Sequence, residues 1–182
     1  IEAWFPGFGK GELVQLGVLP FFHSFGLTCV MNFCVWMAGA DVLIPRPDPS
    51  AVLEAIHKHK ITFYPAVPTI YVGLLSHPKL HKYDVSSIIG CFSGAAPLPV
   101  EVIKSFEEKT GSKICEGYGL SETSPVATIN PWGGKTKVGS IGLPLSDTEI
   151  KIVDLEEGTK EMPVGEAGEV IIRGPQDRKS VV

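Results

Sequence analysis

Residues 88–125 read IIGCFSGAAPLPVEVIKSFEEKTGSKICEGYGLSETSP. Ile88 to Phe92 is a short apolar run that suits a buried strand. Ser93-Gly94-Ala95-Ala96-Pro97 is a turn of small residues, and Pro99 opens a helix over Glu101 to Lys109 that Gly111 stops. Lys113 to Glu116 is a second strand, and it leads into Gly117-Tyr118-Gly119-Leu120-Ser121-Glu122-Thr123-Ser124-Pro125. Strand, helix, strand in this order is the unit of a parallel sheet.

The same alternation extends towards the N-terminus. Val14 to Pro20, Asp41 to Pro45 and Ile61 to Val67 read as strands. Between them lie an apolar helix over Phe25 to Ala38 with Ser24 as its N-cap, and a helix over Ser50 to Lys60 entered through Asp48-Pro49. The second helix carries Val52, Leu53 and Ile56 on one face, and Pro68 opens another helix through Leu75. The strands show no apolar–polar alternation, as expected when helices cover both faces of a sheet. The run Phe25 to Ala38 is apolar all round, which predicts a helix covered on several sides. Its length of about 14 residues falls short of the ~20 that span a bilayer. From Lys137 onward helical periods stop. Glu149 to Val153 and Glu169 to Arg173 are strands separated by glycine turns. The expected fold is α/β: a mostly parallel sheet with flanking helices over residues 1–130, then a small antiparallel β unit, part of a barrel, over 131–176. Residues 177–182 form an atypical tail.

Composition narrows the function. The chain has 182 residues and a net charge of −4, so it offers no basic footprint for nucleic acid. Four scattered cysteines without a CxxC pair read as buried thiols in a reducing compartment, not a disulfide framework. No nucleophile elbow, Walker-type phosphate loop or GxGxxG fingerprint is present.

Ligands of such sheets bind beyond the carboxyl ends of the strands. Three conspicuous stretches fall there: Phe21 to Phe25, Ser93 to Pro97 and Gly117 to Thr123. The last combines a flat ring for a base, hydroxyls for phosphate oxygens, and Glu122, a hard oxygen ligand of the kind Mg²⁺ takes. Ser93 to Pro97 taken alone is a packing turn; beside a nucleotide it makes a wall into which nothing larger than a methyl intrudes. Phe21-Phe22-His23-Ser24-Phe25 reads either as a capped helix start with a satisfied histidine or as an apolar wall with one polar point. The pairs His57/His59 and His77/His81 are poorly placed for metal ligation.

Taken together, PFFHSFG (20–26), SGAAPL (93–98), GYGLSETSP (117–125), GSIGLP (139–144) and GEVIIRGP (168–175) resemble, in order, the motifs of adenylate-forming enzymes such as acyl-CoA synthetases, luciferases and peptide-synthetase adenylation domains. The chain is most similar in tone to fatty-acid–CoA ligases. The resemblance implies Mg²⁺ as cofactor, ATP and coenzyme A as co-substrates, and a fatty acid or other carboxylate as the third. It implies Tyr118 stacking on adenine, with Gly94, Ala95 and Ala96 lining the same pocket and Glu116, Gly117 and Gly119 at its edge. It implies Ser121, where the family usually has threonine, at the α-phosphate, and Glu122 on the metal, these two as the catalytic pair. His23, Phe25 and Gly117 would line the acyl site.

The family's phosphate loop, ribose-binding aspartate and adenylating lysine do not appear among these residues, and Asp177 is not taken for that aspartate. The expectation is therefore an internal piece of a ligase, inactive alone, whose partners include the N- and C-terminal parts of the same protein. The alternative is a non-catalytic nucleotide- or acyl-binding module. A cytoplasmic location is expected, with peripheral membrane contact for a longer parent and self-association through exposed faces.

Overall fold

The computed structural model describes residues 8–177. Strand β1 (Val14–Gly17) leads through the aromatic turn into a π-helical segment, Gly26–Asn32, that continues as α1 (Phe33–Trp36). There follow β2 (Ala40–Leu43), α2 (Pro49–His59), β3 (Phe63–Ala66), α3 (Pro68–Leu75), β4 (Gly90–Ser93), α4 (Val100–Thr110) and β5 (Lys113–Gly119). Then come β6 (Val126–Ile129), β7 (Leu143–Pro144), β8 (Glu149–Val153) and β9 (Glu169–Arg173). The large sheet runs β2-β1-β3-β4-β5-β6-β7. Its first five strands are parallel, and β6 and β7 add to it antiparallel. Strands β8 and β9 form a separate antiparallel pair in the register Glu149↔Arg173 to Val153↔Glu169. This is the α/β architecture with an appended antiparallel unit that the alternation predicts.

The core lies where helices meet the central strands. Leu16, Phe63, Tyr64, Cys91 and Phe92 are buried on β1, β3 and β4. Helix α3 packs between α2 and α4, and the Tyr71 hydroxyl donates to the Tyr64 carbonyl at 2.7 Å, fixing α3 to the sheet. At the start of α2 the Asp48 carboxylate accepts from the Ser50 and Ala51 amides at 2.9 and 3.2 Å, the cap expected of Asp-Pro. All four cysteines are free and buried, and burial pushes the Cys29 and Cys115 thiols up to about 12.

Three readings need correction. Ser24 does not cap the first helix; its hydroxyl has no hydrogen-bond partner, and the backbone already turns at the His23 carbonyl, which accepts from Leu27 at 2.9 Å. That helix is also not covered on all sides. Cys29, Val30, Phe33, Cys34 and Met37 form its buried face, while Val35 and Trp36 stand 77% and 60% exposed, with the Lys10 ammonium 4.4 Å above the Trp36 ring. Finally, β5 does not end at Glu116. It runs through Gly117 to Gly119 because β6, unforeseen in the sequence, pairs with it (Gly117↔Ile129, Tyr118↔Thr128, Gly119↔Val126). No helix among the described residues is long and apolar enough to cross a membrane. Residues 178–182 of the atypical tail lie outside the described residues.

Candidate nucleotide and acyl site

The three stretches singled out at the strand ends meet in one place. A cavity of about 190 Å³ is lined by His23, Ser24 and Phe25 after β1, by Phe92, Gly94 and Ala95 at the end of β4, and by Gly117, Gly119, Leu120, Ser121, Pro125 and Val126 around β5. Of the residues expected in the site, Gly94, Ala95, Gly117, Gly119, Ser121, His23 and Phe25 line it.

Tyr118 and Glu116 are outside this lining, and the pleat of β5 explains why. Successive side chains of a strand point to opposite faces. Gly117 therefore faces the cavity, while the Glu116 and Tyr118 side chains take the other face of the strand; Gly94 and Ala95, at the start of the small-residue turn, line the cavity with Gly117. A β-bulge between Tyr118 and Gly119 then bends the strand into the motif loop. The Glu116 carboxylate is already engaged, accepting from the Leu98 amide at 3.1 Å. It holds the Leu98 end of the small-residue turn to β5, and Tyr118 is half-buried. Within that turn Ala95 has a φ of +69°, a left-handed conformation that an alanine adopts only when its surroundings enforce it. Ala96 is exposed at its tip.

The loop after β5 is tied from within. Thr123, 3% exposed, accepts from the Leu120 amide at 2.9 Å and donates to the Pro125 carbonyl at 2.7 Å. Gly119 is indispensable here, since a Cβ would lie 1.6 Å from the Pro125 carbonyl oxygen. Ser121 and Glu122 are left exposed on the 3₁₀ turn Ser121–Thr123. Neither side chain makes a hydrogen bond or ion pair among the described residues, so both are available to a ligand.

The outer flank is fixed by Asn130. Its backbone amide donates to the Glu116 carbonyl at 2.9 Å, its side-chain amide donates to Ser140 O at 2.7 Å, and its Oδ1 accepts from the Lys137 amide at 3.2 Å. The GSIGLP stretch is thereby stapled across β5 and β6, helped by the Thr128 hydroxyl, which donates to Ile141 O at 2.6 Å. Asn130 and Phe92 were not picked out as site residues in the sequence, and Thr123 and Ser24 were picked out only as members of their stretches. The β-branched run Val126–Ile129 was the available signal for β6, and hence for Asn130 at its end.

His23 stands exposed at the rim. Its Nδ1 accepts from the Phe25 amide at 3.1 Å, which places the proton of the neutral ring on Nε2. His23, Phe25 and Ala95 also line a second, largely apolar cavity of about 680 Å³, reaching past Val18, Pro20, Leu43, Ile44 and Val67. The smaller cavity has no Lys, Arg, Asp or Glu in its lining. Among the described residues no cluster of three or more His, Cys, Asp or Glu side chains is placed to hold a metal. His57 and His77 instead accept from the Asp84 and Lys79 amides and flank Tyr83 edge-on.

Comparisons with known proteins identify the family. The chain is 49% identical over 177 residues to a long-chain-fatty-acid–CoA ligase of Bacillus subtilis, covering 97% of this chain and 31% of that protein. It is 38% identical over 175 residues to a 4-coumarate–CoA ligase of Pinus taeda, covering 93% of this chain and 32% of that protein. The crystal structure of ATP-bound MatB from Rhodopseudomonas palustris superposes with a TM-score of 0.87 at 30% identity, over 97% of this chain and 34% of that one. The chain thus spans about a third of the length of these relatives. The family model of AMP-binding enzymes matches residues 2–179, essentially the whole sequence, and the chain belongs to that family of AMP-binding enzymes.

Proposed function

We propose that this chain forms the adenylate- and acid-binding part of an ATP-dependent acid–CoA ligase whose acid is a fatty acid. The observation that carries the reading is that the loops after β1, β4 and β5 meet around one cavity, lined together by Phe25, Gly94, Ala95, Gly117 and Ser121. The acid is placed on the Gly117 side of β5, and the base on the side to which the strand's pleat sends Tyr118. The loop beyond β5 carries the exposed Ser121 and Glu122. A nucleotide on one face and a carboxylate on the other are thus brought together at the α-phosphate.

In the first step a carboxylate oxygen bonds to the α-phosphorus of ATP and the bond to pyrophosphate breaks, giving acyl-AMP. In the second the thiol sulfur of coenzyme A bonds to the acyl carbon, AMP leaves, and the thiol proton is released. Tyr118 stacks on adenine against Gly94, Ala95 and Ala96, with Glu116 acting by holding that turn. Ser121 offers its hydroxyl to the α-phosphate. The neutral His23 ring donates from Nε2 at the rim, and Phe25 and Gly117 keep the acyl side dry. The larger cavity meets the smaller at His23, Phe25 and Ala95, which gives a thiol-bearing arm an apolar route to the acyl carbon.

Glu122 fits Mg²⁺, an ion that protein sites hold through one or two carboxylates with phosphate oxygens and water completing the shell. When bound there it neutralises phosphate charge. The cavity lining brings no cation of its own to the charge that develops at phosphorus, so binding is expected without turnover. Calorimetry with MgATP and with AMP tests the reading. Glu122→Ala should weaken MgATP by about tenfold or more while AMP affinity holds. Equal affinities of wild type and variant for MgATP would refute the metal assignment, and pyrophosphate release by this chain would refute the expectation of binding alone.

A further inference from the structure

A third cavity, of about 470 Å³, shares no lining residue with the two already described. Its lining comes from the end of α3, the segment that follows it and the last turn of α4. Val85 precedes β4 and Lys109 precedes β5. The cavity therefore belongs to the edge where these parallel strands begin, opposite the carboxyl ends that frame the smaller cavity. Leu75, Leu80 and the buried Val85 make part of its lining apolar.

The aromatic part of the lining is fixed in advance. His77 Nδ1 accepts from the Lys79 amide at 3.2 Å, and its Nε2 lies 3.1 Å from the Ser50 hydroxyl oxygen, so both ring nitrogens are engaged. His57 Nδ1 accepts from the Asp84 amide at 3.0 Å. Both rings meet Tyr83 edge to face, each with its centroid 6.2 Å from that of the tyrosine. Tyr83 and His77 thus stand as rigid wall residues. His81 and Lys109 complete the lining, and neither side chain makes a hydrogen bond or ion pair among the described residues.

Charge selects what fits. Residues 77–83 (HPKLHKY) carry two lysines, two histidines and no acid. The acids next to the lining residues in the chain do not supply the missing charge. Asp84 is spent on the Lys60 ammonium at 2.7 Å and on the Ser86 hydroxyl at 2.6 Å. Glu107 accepts from the Ile114 amide, and Glu108 does not line the cavity. An apolar hollow bordered by an unpaired ammonium and lacking a carboxylate suits an anion with an apolar body. A carboxylate at Lys109 gains a charge-assisted hydrogen bond, and a tail over Leu75, Leu80 and Val85 removes apolar surface from water.

We propose that this cavity is a second small-molecule site, which binds a carboxylate with a short apolar tail, Lys109 meeting the anion and Leu80 and Val85 the tail. It shares no residue with the nucleotide and acyl site, so the two readings stand or fall separately.

The test follows backbone amide spectra of the ¹⁵N-labelled 182-residue chain during titration with octanoate, at constant ionic strength and below micelle formation. Octanol, with the same tail and no charge, and acetate, with the charge and no tail, are titrated alongside. With octanoate the amides of residues 75–85 and 109 should shift on one saturable curve. Octanoate should bind there about threefold more tightly than octanol, the scale of an exposed ion pair, and at least about tenfold more tightly than acetate. Lys109→Gln should weaken octanoate by about threefold and leave octanol unchanged, whereas Leu80→Ser should weaken both. Should one variant lose the native spectrum, the other carries the comparison. Octanoate that leaves these amides unmoved overturns the proposal, as does octanoate no tighter than octanol or acetate. So does a folded Lys109→Gln chain that binds octanoate like the wild type. Shifts confined to residues 23–25, 94–95 and 117–121 would place the acid at the carboxyl ends of the strands alone, overturning this site and leaving the ligase reading intact.

Discussion

Thr123 shows how much of the motif is scaffold and how much is chemistry. Of the three hydroxyls in Ser121-Glu122-Thr123-Ser124, the one at Thr123 is buried and spent on the loop's own backbone, while Ser121 remains exposed. Thr123→Val keeps the shape but leaves the Leu120 amide and the Pro125 carbonyl without that partner. An unsatisfied buried group costs about 1–3 kcal/mol, so denaturant unfolding should show a loss of about 2 kcal/mol. AMP affinity should fall with it, because the loop that presents Ser121 loses its internal tie. A Thr123→Val protein as stable as the wild type would show that these two hydrogen bonds are dispensable. The same residue marks a limit of reading sequence alone. Thr123 lies inside a motif rich in ligand-like groups, and only its burial separates a staple from a contact. Glu116 is parallel: its bond to the Leu98 amide depends on a turn 18 residues earlier in the chain.

At the scale of elements, legibility followed local chemistry. The strands β1 to β5 and helices α2 to α4 announce themselves through apolar runs, Asp-Pro and Pro starts, and glycine stops. Strand β6 did not, because Val126–Ile129 sits between two polar, glycine-rich stretches and gains its strand character from pairing with Gly117–Gly119. The first helix was legible as a helix but not in its π-helical turn, since an apolar sequence carries no periodic mark of one extra residue per turn. The β8–β9 hairpin was legible from its glycine turns, yet its key residue was not. Asp154 accepts five backbone amides, from Glu156, Glu157 and Gly158 on Oδ1 and from Thr159 and Lys160 on Oδ2. Those bonds, the Glu157 amide first, hold its carboxyl well below the usual aspartate range. A carboxylate whose folded value is depressed stabilises the fold at pH above its ordinary value of ~3.9, and this contribution is lost as pH falls from there through the folded value. Amide exchange of residues 156–160 should accordingly quicken on acidification below about pH 4, and Asp154→Ala should quicken it by about tenfold or more at neutral pH. Unchanged protection in Asp154→Ala would mean that the turn holds without its carboxylate.

At the scale of the whole molecule, the sheet does for the ligand what no single motif does. Parallel strands β1, β4 and β5 deliver three stretches, separated by about 70 and about 20 residues of sequence, to one edge, where they line one cavity. The order of motifs made the meeting point legible. The pleat that turns Gly117 and Tyr118 to opposite faces was not, because it depends on β5 continuing past Glu116. The central claim is that Tyr118, on the face away from the cavity, carries the adenine. Its most direct test is a calorimetric titration of the chain with AMP, for wild type and Tyr118→Ala, with circular dichroism to show that both are folded. Base–aromatic stacking contributes about 1–3 kcal/mol, so a single saturable site in the wild type should weaken by about 5- to 150-fold in the variant. A folded Tyr118→Ala chain that binds AMP as tightly as the wild type would contradict the account.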